Sequence, residues 1–369
     1  MKITILQGAF LPVPPLRGGA IEKAWQALGE AFVRAGHEVT HISRLCDMLP
    51  SKEEIQGVQH LRIKGEDSCK NSTILKFREF SYVWRARKIL PAADILITHA
   101  FWAPLLLNPK KYGKIYVHVG RYPKGQMRFY TKVARFQAPS RVVANAISKE
   151  LPDRDDRVLT IPYPLPFSAD QCVPIEHRPK RVLYTGRIHP EKGVLELVRA
   201  WRKLPDEVQK EWSLRLVGPW REEQGGAGKV FLEKIKSEAN HKIEIKEPVF
   251  EEKDLIKQYQ KARIFVYPSL AKMGETFGLA ALEAMSCGCV PLVSSLECFS
   301  DFIEDGVNGI RIKADTKSFE NSLLDELRGL LNSTEVGQLS EQALQTVEAY
   351  EVEKVAVQYL MDFENLIGK

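Results

Sequence analysis

No apolar run in the 369-residue sequence approaches the twenty or so residues that a membrane-spanning helix needs. Low-complexity segments and internal repeats are also missing, and a composition of 44% hydrophobic and 27% charged residues is typical of a globular protein. The first residues carry one charge, Lys2, and a very short apolar run without a small-residue cleavage pattern, which predicts a β-strand rather than a signal peptide. We therefore expect a cytoplasmic protein, with a place on the inner face of the membrane as the open alternative.

Cysteine pairs with metal-binding spacing are missing as well. No C-x-x-C pair and no matching histidine spacing, which would indicate zinc, occurs among the six cysteines, Cys46, Cys69, Cys172, Cys287, Cys289 and Cys298. We expect free thiols in a reducing compartment and no bound metal.

Charge is divided unevenly along the chain, although the net charge is only +6. Residues 1–165 hold 26 Lys and Arg against 14 Asp and Glu, whereas the remaining residues hold 27 against 33. A strongly basic half beside a mildly acidic half indicates an anionic partner for the first half. A membrane surface, a phosphorylated acceptor and nucleic acid are the candidates.

Short apolar, β-branched runs alternate with helical patterns in two successive series. This alternation predicts parallel strands that are covered on both faces by helices. The first series predicts strands at Ile3–Gln7, Glu38–Ile42, Asp94–Thr98, Lys114–Val119, Arg141–Ala146 and Val158–Ile161, with helices at Ala20–Ala35 and Ile74–Leu90. The second series predicts strands at Arg181–Thr185, Leu214–Val217, Lys242–Lys246, Ile264–Tyr267 and Val290–Val293.

A proline-rich stretch separates the two series. Residues 161–166 contain three prolines, and Pro174 and Pro179 follow without periodicity, which indicates a linker. The predicted fold class is α/β, with two doubly wound Rossmann-like domains that face a central cleft. The predicted ranges are 1–165 for an N-terminal domain, 166–349 for a C-terminal domain, and 350–369 for a helix that packs back on the first domain.

Two carboxylates eight residues apart, Glu275 and Glu283, flank a predicted helix start. Gly278 suits a tight entry, and Leu279–Met285 is rich in helix-forming residues. The backbone amides from Phe277 onward would point out of the helix N-terminus, where anions bind. Glu275 could then accept hydroxyl hydrogen bonds, and Glu283 could reach a ribose diol. The alternative is that Glu275 only caps the helix and Glu283 is solvated.

A basic turn over residues 186–193 follows the predicted strand Arg181–Thr185. Arg187 and Lys192 flank this strand-to-helix turn, so both cations can converge on a leaving diphosphate. Pro190 fits the first turn of the next helix. The alternative is a solvated basic turn.

Paired glycines, Gly18 and Gly19, lie between the first strand and the first helix. They allow backbone amides to approach a phosphate closely, with a flexible turn as the alternative. The dinucleotide fingerprint G-x-G-x-x-G follows none of the predicted strands. Residues 225–229 look like a phosphate-binding Walker loop, but the first glycine is missing and Val230 replaces the required Ser or Thr, so an ATP site is rejected.

Together these motifs resemble the retaining GT-B glycosyltransferases of family 4. The Glu275/Glu283 spacing matches the E-x7-E motif, residues 186–193 match the G-R-x4-K-G turn, and Gly18-Gly19 with Glu22 match the N-domain glycine loop. The resemblance covers nearly the whole chain. It implies metal-independent transfer of a sugar from a nucleotide diphosphate sugar, with UDP-sugars favoured and GDP-sugars as the second choice, and no cofactor.

The resemblance also implies roles for single residues. Arg187 and Lys192 would bind the donor diphosphate, and His118, Glu275 and these two cations would form the catalytic set. Pro248 and Val249 would seat the base. The implied donor-binding set is Gly18, Gly19, Arg187, Lys192, Pro248, Val249, Glu275, Thr276, Phe277, Gly278, Leu279 and Glu283.

Two histidines end predicted strands of the first domain. His118 matches the family's histidine near the transferred sugar, and His99 is a second candidate, with a structural role as the alternative for each. Residues 145–148 resemble the family's serine-containing turn. The family's N-G-V-D loop is replaced by residues 163–166, a departure that bears on acceptor contacts. Residues 153–155 spell the metal motif D-x-D, but their place in a charged loop predicts solvated side chains.

Aromatic and basic residues are interleaved in two clusters of the first domain. Such mixing suits an interfacial helix on an anionic membrane, and an ordinary amphipathic helix with its aromatics in the core is the alternative. The first cluster is Lys76, Phe77, Arg78, Phe80, Tyr82, Trp84, Arg85, Arg87 and Lys88. The second cluster, which follows His118 and could instead line an acceptor site, is Lys124, Arg128, Phe129, Tyr130, Lys132, Arg135 and Phe136.

The expected function is therefore retaining transfer of a sugar onto a glycan, a lipid-linked or a small-molecule acceptor. A nucleotide-sugar epimerase or phosphorylase of similar fold is the alternative enzyme. A nucleic-acid-binding protein is the non-enzyme alternative, but it leaves the acidic half and its paired glutamates without a role, so no nucleic acid is expected.

Overall fold

The computed structural model describes residues 1–16, 18–69, 71–167, 173–312 and 318–368. The chain divides into two compact units, of which unit 1 is Met1–Pro166 with Tyr350–Lys369 and unit 2 is Phe167–Ala349. One residue named above, Cys172, lies outside the described residues.

Unit 1 is built on a twisted sheet with the strand order β3-β4-β2-β1-β5-β6-β7-β8. Every pairing in it is parallel except the one between β3 and β4 at one edge. Its strands are β1 (Lys2–Leu6), β2 (Glu38–Leu45), β3 (Lys52–Ile55), β4 (Val58–Lys64), β5 (Ile95–Thr98), β6 (Lys114–His118), β7 (Val133–Ala138) and β8 (Val158–Thr160). The helices before the linker are α1 (Ala20–Arg34), α2 (Ser72–Ala86), α3 (Ala103–Leu106), α4 (Pro109–Tyr112) and α5 (Arg141–Glu150).

Unit 2 has a parallel sheet with the order β11-β10-β9-β12-β13-β14. Its strands are β9 (Arg181–Thr185), β10 (Ser213–Val217), β11 (Ile243–Lys246), β12 (Ile264–Tyr267), β13 (Val290–Ser294) and β14 (Ile310–Ile312). Its helices are α6 (Val194–Arg202), α7 (Asp206–Glu211), α8 (Gly228–Glu238), α9 (Glu252–Gln260), α10 (Leu279–Ser286), α11 (Phe319–Leu331) and α12 (Val336–Val347), and α13 (Val352–Ile367) follows in unit 1.

Each sheet is apolar on both faces because helices cover both faces, as the near-continuous apolar strands predict. In unit 1 one face packs with Trp25 and Phe32 of α1, and the other with Tyr82 and Val83 of α2. The predicted α/β class, with two Rossmann-like parallel sheets, is confirmed.

One predicted strand is wrong. Residues 141–146 begin α5, a helix that runs to Glu150. Two adjacent valines give the segment a strand-like composition, but the residues that face the core are Val143, Ala146 and Ile147, which is the spacing of one helix face. The turn expected at residues 145–148 is wrong for the same reason, and the strand lies earlier, at β7.

The last helix, α13, packs against α1 in unit 1. The ring of Tyr359 contacts Trp25 with 5.2 Å between centroids, and the ring of Phe363 contacts Phe32 with 5.7 Å between centroids. Both aromatic side chains of α13 are at most 1% exposed. No helix in the described parts of the chain has the length and hydropathy to cross a membrane.

Candidate functional site

The carboxyl edge of the unit 2 sheet, where its parallel strands end, gathers most of the predicted donor-binding residues. The chain runs from β9 outward to β10 and β11 on one side, and through β12, β13 and β14 on the other. Ligands of doubly wound folds bind where the strand order reverses in this way, because the loops after the two central strands diverge and leave a crevice.

The turn after β9 carries Arg187 and Lys192. It ends at Gly193, which has a left-handed φ of 67° and lies so close to the chain at Pro268 that a Cβ atom would meet the Pro268 backbone. Arg187 Nη1 donates a hydrogen bond of 3.0 Å to the carbonyl oxygen of Gly225, and its Nη2 bonds the carboxylate of Glu191. The Arg187 side chain is nevertheless 41% exposed, so the alternative of a solvated turn stays open for it.

Lys192 and Glu275 form a buried ion pair. Lys192 Nζ lies 2.7 Å from Glu275 Oε2, and the two side chains are only 7% and 10% exposed. The ammonium group also lies 5.4 Å from the centre of the Tyr267 ring. Because breaking a buried pair leaves an uncompensated charge, each partner fixes the position of the other. Glu275 thus bonds a cation of the other motif in this structure, rather than only capping a helix.

Two stacked tyrosines lie among these charges, and the sequence analysis missed both. The rings of Tyr184 and Tyr267 are 5.9 Å apart, and Tyr184 Oη donates a hydrogen bond of 2.7 Å to the carbonyl oxygen of Arg187. Burial, followed by the charge of Glu275, raises the pKa of each phenol well above 10. The tyrosines occupy strand ends of β9 and β12, a position that could have marked them.

Helix α10 begins directly after Gly278, which lies between Glu275 and Glu283. Gly278 has φ 91°, and a Cβ atom there would lie within the ring of Phe299. The side chains of Phe277 and Leu279 are buried on either side of it, while Thr276 is half-buried. The left-handed glycine therefore sets the direction in which the first turn of α10 starts.

Glu283 is buried in α10, so the alternative of a solvated carboxylate is wrong. Its Oε2 accepts a hydrogen bond of 2.9 Å from Tyr259, whose hydroxyl also lies 2.9 Å from the Thr185 hydroxyl. Burial and the adjacent Glu283 carboxylate raise the pKa of Tyr259 well above 10. Tyr259 therefore stays protonated and orients the glutamate.

A pocket of about 160 Å³ opens beside Glu283. Its wall brings together the ends of β9, β10 and β11 and one face of α10. The residues that line it are Thr185, Gly186, Val217, Gly218, Pro219, Pro248, Val249, Phe250, Leu255, Tyr259, Ala280 and Glu283. The predicted base-binding residues Pro248 and Val249 and the predicted ribose ligand Glu283 thus share one mostly apolar pocket.

The glycine-rich segment rejected as an ATP site covers the turn after β9. Ala227 donates its amide hydrogen to the carbonyl oxygen of Ile188, and the amide of Ile188 donates to the carbonyl oxygen of Pro219. Beside it, Arg221 and Trp220 bond the carboxylate of Glu247 at 3.0 and 3.2 Å. These contacts hold the loop over the same edge of the sheet.

In unit 1 the paired glycines precede α1. Gly18 and Gly19 have φ values of 74° and 112°, and a Cβ atom on Gly19 would overlap the carboxylate of Glu22. Glu22 is buried, and this burial raises the pKa of its carboxyl from 4.5 to about 7, although Arg121 opposes the shift. From the sequence, Glu22 was expected only as part of the glycine motif. Arg121, which follows the end of β6, was not predicted.

Both ring nitrogens of His118 are occupied within unit 1. The amide nitrogen of Gln137 donates to the carbonyl oxygen of Ile161, which leaves Gln137 Oε1 to face His118 Nδ1. Because this oxygen can only accept, Nδ1 carries the proton. Nε2 then accepts from the Tyr163 hydroxyl at 2.9 Å. Burial lowers the pKa of His118 to about 4, so the imidazole is neutral near pH 7. The ring therefore links β6 to β7 and to Tyr163, while its predicted place near the transferred sugar stays a prediction.

His99 follows β5 and accepts a hydrogen bond of 3.0 Å from the amide of Gly8 through Nε2. Burial, then the nearby His118 and Arg121, lower its pKa to about 3. Accepting through Nε2 leaves Nδ1 as the protonated nitrogen. His99 is only half-buried, unlike His118.

The D-x-D residues Asp153 and Asp155 are exposed on a short 3₁₀ helix over Pro152–Arg157. Across the described ranges, no group of three or more His, Cys, Asp or Glu side chains is placed to hold a metal ion. The five cysteines within those ranges are free thiols.

Comparison with known proteins identifies the domain that carries this geometry. Residues 169–336 match the family described as "Glycosyl transferases group 1". The chain is 23% identical over 353 residues to the uncharacterized glycosyltransferase MJ1607 of Methanocaldococcus jannaschii, which covers 84% of each protein. It is 25% identical over 282 residues to the lipopolysaccharide 1,2-N-acetylglucosaminetransferase of Salmonella typhimurium, covering 66% of this chain and 72% of that protein.

The chain is also 32% identical over 136 residues to the O-antigen chain mannosyltransferase B of Escherichia coli. This shorter alignment covers 36% of this chain and 34% of that protein. Among solved structures, sucrose-phosphate synthase of Thermosynechococcus elongatus superposes with a TM-score of 0.81 over 100% of this chain and 99% of its own, at 19% identity. Anabaena HepE, solved with UDP and glucose, superposes with a TM-score of 0.71 over 99% of this chain and 100% of its own, at 14% identity.

Proposed function

We propose that this protein uses a nucleoside diphosphate sugar and retains the anomeric configuration. It is a glycosyltransferase, since residues 169–336 match the family described as "Glycosyl transferases group 1" and the chain has the GT-B fold. The observation that carries this proposal is the grouping of Arg187, Lys192 and Glu275 around two tyrosines, next to a pocket that contains Glu283.

Unit 2 would bind the donor. Pro248 and Val249 offer apolar contacts for the base, and Glu283, held by Tyr259, would accept hydrogen bonds from the ribose diol. The backbone amides at the start of α10 would face the diphosphate, since a helix N-terminus attracts negative charge. Both ribose and base would thus be bound at the edge where the cations lie.

Arg187 and Lys192 would stabilise the charge that develops on the departing diphosphate. Each cation is paired with a carboxylate, Arg187 with Glu191 and Lys192 with Glu275. These partners hold the cations in place before the donor arrives, so little reorganisation accompanies the reaction. Held beside Lys192, the carboxylate of Glu275 would accept hydrogen bonds from the hydroxyl groups of the sugar.

UDP-sugars are the donors we propose first, as the sequence resemblance implies. GDP-sugars are the second choice, which the 27% identity over 95 residues to a GDP-mannose:cellobiosyl-diphosphopolyprenol alpha-mannosyltransferase of Komagataeibacter xylinus supports. The acceptor we propose is a glycan or a lipid-linked glycan, since similar proteins are named for lipopolysaccharide and O-antigen chains. The catalytic step needs no metal in this proposal, because fixed cations serve the diphosphate.

A thermal-shift panel of UDP, GDP, ADP and their sugar conjugates, each with and without EDTA, tests donor binding. We expect one nucleoside diphosphate to raise the melting temperature equally with and without EDTA. Arg187→Ala and Lys192→Ala should abolish this shift. Arg199→Ala is the matched control, because Arg199 forms an Arg–Glu pair with Glu238 on another part of unit 2.

Two results would contradict the proposal. Unchanged donor binding and turnover in both cation variants would remove the diphosphate site. Product formation from the donor alone, without acceptor, would favour the epimerase or phosphorylase alternative. The anomeric configuration of the product, read by NMR, tests retention.

A further inference from the structure

An apolar stripe on α2 faces solvent. Phe77 is 71% exposed, Trp84 46% and Ile74 45%, although the opposite side of the same helix buries Tyr82 and Val83 in the core. Phe77 and Trp84 lie two turns apart on one helix face. The interpretation that the aromatics of this cluster lie in the core is therefore right for Tyr82 and wrong for Phe77 and Trp84.

The stripe continues through aromatic contacts to the second cluster. Phe80 of α2 contacts Trp102, and Trp102 contacts Phe101, with 5.4 and 5.2 Å between ring centres. Phe101 in turn contacts Tyr130, whose hydroxyl donates to the Phe101 carbonyl at 2.8 Å. The next residue back is Phe129, which is 62% exposed. Because Tyr130 is buried, the link to the loop that carries the exposed Phe129 runs through the interior of unit 1. We name the exposed apolar residues Ile74, Phe77, Trp84, Leu105 and Phe129, with the cations among them, the aromatic-basic surface.

Cations are mixed directly into this surface. Residues 71–135 contain 13 Lys and Arg but only two acidic residues, Glu79 and Asp94. Glu79 is turned inward, where its carboxylate accepts the amide hydrogen of Phe101 at 3.1 Å and burial raises its pKa. Arg87 stacks on Trp84 at 4.3 Å, and Arg128 on Phe129 at 5.6 Å. Glu150 of α5 places one carboxylate beside these residues, where it accepts the amide hydrogens of Gly125 and Met127, and Arg135 is paired with Asp362. The surface therefore presents rings together with mostly positive charge.

We propose that the aromatic-basic surface binds the surface of an anionic lipid bilayer. Aromatic rings at headgroup depth and cations that attract anionic lipids are the two features of interfacial binding, and both occur here on one helix and its neighbouring loop. The aliphatic side chains of Ile74 and Leu105 favour lipid over single-stranded nucleic acid, which stacks its bases on aromatic rings.

The surface adjoins the carboxyl edge of the unit 1 sheet. Phe101 lies two residues after His99, and the loop that leads to Phe129 starts beside Arg121. If the proposed function holds, a lipid-linked acceptor held in the bilayer would enter next to this edge. Lipid binding itself does not depend on the proposed function.

Co-sedimentation with vesicles tests the proposal. The full-length protein should bind vesicles of phosphatidylcholine with about one third phosphatidylglycerol, bind pure phosphatidylcholine weakly, and be released by high salt because ions screen surface charge. Phe77→Ser with Phe129→Ser should reduce vesicle binding at least tenfold. The matched control is Val230→Ser with Met361→Ser, since these side chains are 87% and 61% exposed outside the surface.

Charge is tested separately from apolar contact. Lys76→Gln with Lys88→Gln should weaken binding to the anionic vesicles about 25-fold, at about fivefold for each cation. Lys229→Gln with Lys234→Gln, two exposed lysines of α8, should leave it unchanged.

Melting temperature and the donor-induced thermal shift should stay constant in all four double variants, which separates lipid binding from folding and from the proposed donor site. Equal vesicle binding by the wild type and the Phe77/Phe129 variant would overturn the proposal. So would absence of vesicle binding together with tight, salt-sensitive binding to an oligonucleotide or an acidic polysaccharide.

Discussion

Buried carboxylates and imidazoles set the chemistry of single residues in this protein. Glu22 lies under Gly19 at the start of α1, where the positive helix end favours its charged form, yet burial outweighs that effect and raises its pKa to about 7. His118 shows the opposite direction, because burial disfavours the imidazolium and lowers its pKa to about 4. Both groups are therefore mainly neutral just below pH 7.

The Glu22→Gln variant tests the raised pKa. Between pH 4.5 and 7 the unfolded chain loses the Glu22 proton while the folded chain keeps it, so folding stability falls as pH rises through this window. Because Glu22→Gln has no ionisable group here, it should not show that loss. The difference in unfolding free energy between the variant and the wild type should therefore be about 3 kcal/mol more in favour of the variant at pH 8 than at pH 4.

Urea unfolding of both proteins at several pH values measures this difference. Glu30→Gln on the same helix is the control. A stability difference that does not change with pH would show that the Glu22 carboxyl titrates at its ordinary value.

At the scale of elements, the start of α10 depends on a backbone conformation that only glycine adopts easily. Gly278 has φ 91° and no room for a methyl group beside Phe299. Gly278→Ala should therefore lower the melting temperature and abolish the donor-induced thermal shift, because the first turn of the helix would be displaced.

The control substitution has the opposite expected sign. Gly329 lies within α11 with open space around its Cβ position, so Gly329→Ala should stabilise the protein by up to about 1 kcal/mol and leave donor binding intact. If Gly278→Ala bound donor like the wild type, the proposed role of the α10 amides would be wrong.

Helix α13 contributes to the core of unit 1 although it comes last in the chain. Phe363 is fully buried and contacts Phe32 and Tyr116 at 5.7 and 5.0 Å between ring centres. Phe363→Ala should destabilise unit 1 by about 4 kcal/mol. Met361→Ala on the exposed face of the same helix should change stability by less than about 0.5 kcal/mol.

Calorimetry with and without donor separates the two units, since only unit 2 is expected to gain stability from the donor. A Phe363→Ala variant that lowered the donor-stabilised transition, and left the other unchanged, would contradict the assignment of α13 to the unit 1 core.

For the whole molecule, the buried histidines predict sensitivity to acid. His60, His99 and His118 have pKa values lowered to about 4, 3 and 4, and the pKa of His41 is lowered well below 6.5, all chiefly by burial. An unfolded chain binds these protons near pH 6.5, so the stability that the neutral histidines contribute is complete above that value and is lost as pH drops toward 4, opposite in sign to the contribution of Glu22. We expect these four histidines to take up as many as four protons on unfolding within this window.

The slope of unfolding free energy against pH measures that number. His99→Gln and His118→Gln should each reduce the slope between pH 6.5 and 4 by about one proton, whereas His241→Gln, on the surface of unit 2, should not change it. Equal slopes in all variants would contradict the burial argument.

Local sequence predicted much of the fold. Apolar runs predicted eleven strands in two series, and ten of them match observed strands. The other, residues 141–146, is the start of α5, where two adjacent valines hid the helical spacing. The strands β3, β4, β7 and β14 were not predicted, and three of these are short or have half-buried, mixed patterns. The charged and glycine motifs of unit 2 were found because their residue types and spacing are unusual, whereas Tyr184, Tyr259 and Tyr267 look like ordinary strand and helix residues.

Periodicity, residue type and net charge are properties of the chain alone, so the α/β class, the chemistry of the motif residues and the uneven charge could be predicted from them. Which residues touch follows from the packing of distant segments. This packing paired Lys192 with Glu275, 83 positions away, used both nitrogens of His118 internally, and exposed Phe77 while burying Tyr82. Burial and long-range pairing depend on how distant segments pack, and no local pattern contains that information.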